Sequence, residues 1–166
     1  MTGNERRTRV VVELASALAV VATLVFVGLE VRETRRQTAL NTEAIQVAAY
    51  QDLISQINRF NELLLEPDVA AVFERMQDPE GEWSTFSPVE RRQARSLLYI
   101  LVRHADMAYY QFEHGMLPEE RFDSALRPLL TDMDKPIYRA FWEEVKGSRV
   151  PGFRDYIDRR IAQELR

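Results

Sequence analysis

The sequence contains no cysteine, and only two histidines and six glycines among its 166 residues. The absence of cysteine excludes disulfides, cysteine-ligated zinc and a cysteine nucleophile. It does not indicate a compartment, because a chain without cysteine is compatible with either side of a membrane. The glycines never cluster, so the sequence has no phosphate-cradling loop of the Gly-rich type.

An excess of positive charge is also lacking. There are 26 acidic and 22 basic residues, which gives a formal net charge of −4. Within residues 1–31 the charges cancel, so the net charge belongs to residues 32–166. Because phosphate contacts need clustered cations, a mildly acidic domain is a poor candidate for binding nucleic acid. We expect no nucleic-acid partner.

A long apolar run lies near the N-terminus. Leu14 to Leu29 are sixteen residues without a charge. Extended to residues 10–31, the run would be about 33 Å long as a helix, at about 1.5 Å per residue. The hydrocarbon core of a bilayer is about 30 Å thick. Glu13 and Glu30 lie close to the ends of the run, where carboxylates can reach the headgroups. The sequence therefore predicts one transmembrane helix over 10–31.

Three other interpretations of this run compete with a transmembrane helix. A cleaved signal peptide fits Arg6, Arg7 and Arg9, but the run is longer than the usual apolar region and no small-x-small cleavage site follows Leu29. A buried core helix would be apolar on all sides, yet a domain of this size rarely buries its first helix completely. A surface amphipathic helix would need a polar face, and residues 14–29 have none. Three arginines flank each end, so topology is undetermined.

The chain divides into four predicted segments. Residues 1–9 form a polar N-terminal tail, 10–31 the transmembrane helix, 32–43 a juxtamembrane stalk, and 44–166 a helical bundle domain. The stalk contains neither glycine nor proline, so nothing in it forces the membrane helix to stop.

Apolar residues at helical spacing predict the first bundle helix, over 44–65. Its inward face is predicted from five apolar residues spaced 3, 4, 3 and 7 apart, namely Val47, Tyr50, Ile54, Ile57 and Leu64. Leu53 and Phe60 widen this apolar stripe. A bundle face is the simplest interpretation, and a coiled-coil seam is the alternative.

Proline and capping signals predict the later helices. Ser87, Pro88 and Glu90 form a capping box that opens a long central helix ending at Gly115. Shorter helices are predicted to start at Pro67, Pro118 and Pro136, and a last one to run from about Phe153 to Leu165 after a turn at 150–152. Pro128 predicts a kink or early break. No segment alternates as a strand does. The predicted fold is all-α, with one N-terminal transmembrane helix continuing into a bundle of about five to six helices.

No catalytic, cofactor-binding or metal-ligating residue can be assigned. His104 and His114 lie ten apart on the central helix, and neither follows a glutamate by three residues, so the helical di-iron pattern is missing. We expect His104 to be a core-edge histidine bonded to an acid or a tyrosine. Adjacent Tyr109 and Tyr110 point about 100° apart on a helix, so they cannot be equally buried. The more exposed tyrosine weakly indicates a groove. The sequence predicts no cofactor and no enzymatic activity.

The chain resembles a family of small uncharacterised bacterial single-pass membrane proteins with a C-terminal helical domain. The resemblance rests on the segments LAVVATLVFVGLEVRETRRQT, HGMLPEERF, YRAFWEEVKGS and VPGFRDYID. It covers residues 17 to 160 approximately and implies a bacterial inner-membrane location, but it supplies no functional residue.

Three functions are compatible with an anchored helical bundle. The favoured hypothesis is a membrane-anchored interaction module, an accessory or scaffold subunit whose partners are the lipid bilayer and another membrane protein. An enzyme acting on lipid or a small molecule would need a deep pocket joining His104, a carboxylate and a tyrosine. A ligand-sensing domain would need an internal apolar cavity with few polar groups. Homo-oligomerisation through Ala15, Ala19 and Ala22, which share one face of the membrane helix, is a further alternative.

Overall fold

The structure, a computed structural model, describes the backbone of residues 3–164 and their side chains apart from those of residues 3–6, 8, 9, 15 and 17. Within residues 3–164 there are six α-helices and no strand, which confirms the all-α prediction. The helices are α1 Gly3–Leu63, α2 Pro67–Met76, α3 Pro88–Glu113, α4 Glu119–Leu130, α5 Pro136–Val145 and α6 Pro151–Glu164. Two compact units are formed by residues 1–44 and 45–166.

The first unit consists of the N-terminal part of α1. The helix begins at Gly3, inside the segment expected to be a polar tail. From Val10 to Val31 every described side chain is exposed. The hydroxyl of Thr23 donates to the Ala19 carbonyl at 2.8 Å, so this polar group is satisfied within the helix. In the described residues one helix, α1, is long and apolar enough to cross a membrane.

The second unit begins with the C-terminal part of α1, whose inward face differs from the predicted one. Leu53 and Phe60 are buried, whereas Val47 and Ile54 are exposed by 51% and 40%. Leu53, Ile57, Phe60 and Leu64 follow one another at intervals of 4, 3 and 4, so they form a single helical face. The prediction that Val47 and Ile54 lie on the inward face was wrong. The apolar stripe is wider than the face that the other helices cover.

The capping box predicted at the start of α3 is present. The Glu90 N–H donates to Ser87 Oγ at 3.3 Å, and the Ser87 N–H donates to Glu90 Oε2 at 2.8 Å. Arg75 of α2 pairs with Glu90 and donates to the Thr85 carbonyl at 2.8 Å. Bonds from the Ser87 N–H, the Ser87 hydroxyl and Arg75 lower the pKa of Glu90. The helix start is therefore held by its own cap and by α2.

Helix α3 lies at the centre of the second unit. From the apolar spacing of 4, 3, 4, 3 and 4 we predict an inward face of Ala94, Leu98, Leu101, Ala105, Ala108 and Phe112. The first five are buried, Phe112 is half-buried, and Leu97 and Val102 are buried as well. The most extensive packing of α3 is against α4. Gly115 ends the helix with φ +68°, a conformation that L side chains rarely adopt. The predicted C-terminal glycine is thus confirmed.

The last three helices close around α3. Pro128 lies inside α4, which ends two residues later at Leu130. On α5, Trp142 is buried, and its Nε1–H donates to Asp158 of α6 at 2.8 Å. Helix α6 begins at Pro151, earlier than the predicted start at about Phe153. Proline suits the first helical position, and it opens this helix as it opens α2, α3 and α5. Leu165, predicted to face inward, lies outside the described residues.

The central position of α3 makes a stability prediction. Leu101→Ala should lower the free energy of unfolding by about 2–5 kcal/mol, because it opens a cavity at a fully packed site. Ser87→Ala should lower it by only about 1 kcal/mol, the value of an N-cap. Denaturant unfolding of the full chain in detergent, followed by circular dichroism, measures both changes.

Val89, exposed by 67% on the same helix, supplies the control. Val89→Ala should change the free energy of unfolding by less than about 0.5 kcal/mol. A larger loss for Ser87→Ala than for Leu101→Ala would contradict the placement of the core.

Candidate functional site

The two histidines of α3 lie in different environments. His104 is 4% exposed, whereas His114 at the C-terminal end of the helix is exposed. Ten residues along a helix turn a side chain by about 80° from its starting direction. The two imidazoles therefore belong to separate sites, one an internal cavity and the other a surface groove.

We call the first site the His104 cavity. It lies among α1, α3 and α4 and has a volume of about 100 Å³. Leu53, Ile54 and Ile57 of α1 supply apolar walls, and Tyr50 lies on the same helix. From α4 come Ser124, Ala125 and Pro128. Ile54 and Ser124 are the exposed members, so they mark the side that faces solvent.

His104 contributes the imidazole of this cavity. Its Nδ1 has no hydrogen-bond partner within residues 3–164. The expected partner, an acid or a tyrosine, was wrong, because α4 packs its backbone directly against this position. Burial lowers the pKa of His104, while the Ala125 carbonyl and the more distant charge of Asp52 act in the opposite sense. Burial therefore favours the neutral form of the ring.

Tyr50 and Arg121 meet beside the cavity. Arg121 Nη1 donates to Tyr50 Oη at 3.1 Å, and the guanidinium carbon lies 4.8 Å from the centre of the phenol ring. A guanidinium over an aromatic face is attracted by the ring quadrupole. This contact joins α1 to the first turn of α4, and it fixes the ring that forms one wall of the cavity.

We call the second site the α3 groove. It is an open surface depression of about 780 Å³ beside α3. Met107, Tyr110 and Val150 are its exposed apolar residues, with exposures of 42%, 53% and 58%. Arg103, Asp106 and Glu113 supply charges, and Gln56 of α1 and His114 complete the lining. Residues 103, 107, 110 and 114 lie at intervals of 4, 3 and 4, so they form the solvent face of the helix.

Tyr109 forms the inner part of this groove. Its ring contacts those of Phe122, Phe153 and Tyr156 at centroid distances of 5.7 to 6.3 Å. A Cβ at Gly152 would lie 2.7 Å from its hydroxyl oxygen, so glycine is needed for this close approach. Burial raises the pKa of Tyr109. The expectation that Tyr109 and Tyr110 differ in burial is confirmed, and both line the groove.

The charged residues between α4 and α6 are mostly paired with one another. Arg160 pairs with Asp123 and lies 3.6 Å from a Glu164 carboxylate oxygen, and it donates to Tyr156 Oη at 3.1 Å. The Asp123 carboxylate raises the pKa of Arg160. A guanidinium satisfied by two carboxylates is a poor anion site. Among the described residues there is no group of three His, Asp or Glu side chains that could hold a metal ion.

Sequence reasoning named neither the His104 cavity nor the full groove. The groove had a signal, because Met107, Tyr110 and His114 follow the helical repeat on the polar side of α3. The cavity had no such signal in any one segment, since its walls come from three helices.

Comparison with family models, curated proteins and solved structures finds no match to this chain.

The burial of His104 predicts a pH dependence of stability. Its native pKa is lowered below the value of about 6.5 that an exposed imidazole has in the unfolded chain. Below pH 6.5 the unfolded chain therefore binds more protons than the native chain, and the free energy of unfolding falls with pH. The slope should approach about 1.4 kcal/mol per pH unit until the native pKa is reached. Denaturant unfolding between pH 5 and 7.5 measures it.

His104→Gln should remove most of this slope, whereas His114→Gln, at an exposed position, should keep it. The carboxyl groups with lowered pKa, Glu33, Glu90 and Glu144, lose their contributions only at more acidic pH. An undiminished slope in His104→Gln would assign the effect to other groups.

Proposed function

We propose that this protein is a membrane-anchored helical interaction module, an accessory or scaffold subunit of a membrane protein assembly in a bacterial inner membrane. Residues 10–31 of α1 would form its single span. The second unit would bind an amphipathic segment of another membrane protein in the α3 groove. No enzymatic step is assigned to it. The α3 groove, an exposed apolar surface on a folded helical unit, is the observation that carries this proposal.

Exposed side chains support the anchor. Leu18, Leu24 and Phe26 are each exposed by 66% or more, and no described side chain between 10 and 31 is buried. In water such a stretch would leave a large apolar surface uncovered. In a bilayer the same side chains favour insertion, at about 0.3–0.6 kcal/mol for each Leu, Ile, Phe or Val near the helix centre. A lipid environment therefore suits this segment better than solvent does.

The stalk supports a position at a membrane surface. Arg36 pairs with Glu33 through contacts of 2.8 and 3.0 Å, on an exposed helix surface. Arg32 and Arg35 directly follow the apolar stretch. Basic residues beside a span attract anionic lipids by about 1 kcal/mol each. These two arginines would therefore contact lipid phosphates.

The residue types of the α3 groove support protein binding. Met, Tyr and Arg are enriched in the cores of protein interfaces. Tyr110 offers a large ring with few rotatable bonds, and Met107 adapts its shape to a partner surface. The groove is open and long in the direction of α3, so it suits side chains projecting from a helix better than an enclosed small molecule.

Charge favours one type of occupant. Asp106 and Glu113 carry two negative charges in the groove, and Arg103 carries one positive charge. A partner helix with basic residues beside its apolar stripe would complement this balance. A second copy of the chain is the alternative partner, through the face of Ala19 and Ala22. The side chain of Ala15, the third residue of that face, lies outside the described residues.

The anchor makes a direct prediction. The intact protein should remain in the membrane pellet after carbonate extraction at high pH, because a span is held by the hydrophobic effect and not by charge. Its mobility on a gel should correspond to the uncleaved chain. Recovery in the supernatant, or a product shortened at the N-terminus, would contradict the anchor. A variant with Val20→Arg and Leu24→Arg is the matched control for loss of insertion.

The groove makes a separate prediction. A photo-crosslinking residue, p-benzoylphenylalanine, is placed at Tyr110 in one variant and at Val89 in another, both exposed positions on α3. In native membranes only the Tyr110 variant should form an adduct with a distinct integral membrane protein, because only that position lies in the groove. Met107→Glu in the same chain should reduce the adduct at least tenfold, since it places a charge at an apolar contact.

The identity of the adduct decides between partners. A crosslink to a second copy of this chain would replace the heteromeric proposal by homo-oligomerisation. Equal adducts at positions 110 and 89, or none at either, would contradict the groove as a binding surface.

A further inference from the structure

The α3 groove contains two carboxylates without a direct partner. Asp106, which is half-buried, and Glu113, which is exposed, line the groove, and neither side chain forms a hydrogen bond or an ion pair within the described part of the chain. Burial raises the pKa of Asp106, and the charges of Arg149 and Arg103 act in the opposite sense without pairing with it. The groove therefore presents negative charge that no ion pair neutralises.

An exposed aromatic ring lies between these two acids. Tyr110 follows Asp106 by four residues and precedes Glu113 by three, so each acid is one helical turn from the ring. The His114 imidazole packs against one face of this ring, at a centroid distance of 4.1 Å and an interplanar angle of 32°. Among the described residues no guanidinium lies over the Tyr110 ring. Its second face is therefore available to a partner.

The second unit itself shows what a ring and a carboxylate of this kind bind. In three places among the described residues, an arginine lies over an aromatic ring and also pairs with a carboxylate. The guanidinium carbon lies 4.4, 5.6 and 6.0 Å from the ring centre. The three sets of arginine, ring and acid are Arg75, Phe86 and Glu90; Arg95, Phe141 and Glu144; and Arg160, Tyr156 and Asp123. The groove has the ring and the acids of this arrangement but no arginine over the ring.

The arginines near the groove do not complete this arrangement. Arg103 precedes Glu113 by ten residues, which is about 15 Å along the helix at about 1.5 Å per residue. Arg159 of α6 lies over the Tyr156 ring at 5.8 Å. No arginine within residues 3–164 forms an ion pair with Glu113. The missing cation must therefore come from outside this chain.

We propose that the partner helix in the α3 groove carries an arginine whose guanidinium lies over the free face of Tyr110 and pairs with Glu113. Asp106 adds negative charge one turn from the ring. This inference rests on the proposed function and names the residue that anchors the partner.

A guanidinium suits this position better than a lysine ammonium does. It is planar, it stacks on aromatic rings, and it binds a carboxylate through two N–H groups at once. Arg95 shows this geometry within the chain, because its two Nη atoms donate to the two Glu144 carboxylate oxygens at 2.7 and 2.6 Å. The anchor is therefore expected to be selective between the two basic side chains.

The test places p-benzoylphenylalanine at position 107 of the full chain in native membranes, so that Tyr110 stays intact. Mass spectrometry of the isolated adduct maps the attachment point on the partner. An arginine should lie within about four residues of that point, which is one helical turn. A partner segment with no arginine in this range would overturn the inference.

Variants of the same crosslinking chain test the two contacts. Glu113→Gln should reduce the adduct about tenfold, as expected for the loss of one hydrogen bond to a charged group. Tyr110→Leu should also reduce it, although leucine keeps the site apolar, because an aliphatic side chain has no π-face. Glu74→Gln is the matched control and should leave the yield unchanged, since Glu74 is exposed on α2 outside the groove. Circular dichroism verifies that each variant is folded.

An exchange of charges tests direct contact. Glu113→Arg should abolish the adduct by placing a cation beside the arginine of the partner. Replacing the mapped arginine of the partner by glutamate should then restore it. Failure to restore the adduct in the exchanged pair would overturn the proposed contact.

The anchor and the proposed function fail separately. An adduct at position 107 that is unaffected by both Glu113→Gln and Tyr110→Leu would overturn the arginine anchor and leave the groove as a binding surface. No adduct at position 107 with Tyr110 and Glu113 intact would overturn both, as would an adduct formed only with a second copy of this chain.

Discussion

The second unit depends on the close packing of α4 against α3. Ala105 and Ala108 of α3 are fully buried and present only methyl groups, which allows a close approach of α4, whose Phe122 and Leu126 are also fully buried. Close-packed interiors leave little space unfilled, so small residues on one helix leave room for large residues on the other. The same approach brings the Ala125 carbonyl to His104. The local chemistry of the cavity is therefore a consequence of helix packing.

The local signals of the sequence predicted most helix boundaries. Ser87 and Glu90 defined the start of α3, and Gly115 defined its end, because caps depend on residues adjacent in sequence. The start of α6 was missed although Pro151 carries the same signal, since a proline beside a glycine is equally typical of a turn. The face of α1 was missed for another reason. A stripe containing both Val47 and Leu53 is wider than the buried face, and only the positions of α3 and α4 decide which edge is covered.

The candidate sites were less predictable than the fold. His104 lies beside an apolar stripe, so its burial followed from periodicity, but the cavity that it lines is formed by residues of three helices. His114 has the same side chain and lies on the same helix, yet solvent and a bond to the Tyr110 carbonyl define its environment. The sequence specifies the residue types, whereas the difference between a buried imidazole and an exposed one arises from tertiary packing.

Stability alone does not favour a histidine at position 104. The His104 cavity leaves about 100 Å³ beside α4 unfilled by side chains, and a buried imidazole nitrogen without a partner costs about 1–3 kcal/mol. Leucine in place of His104 would remove the unpaired nitrogen, and leucine in place of Ala125 would reduce the volume. Pro128 adds a further cost, because it removes a helical hydrogen bond from α4. Three separate departures from a stable helical core meet at one small cavity.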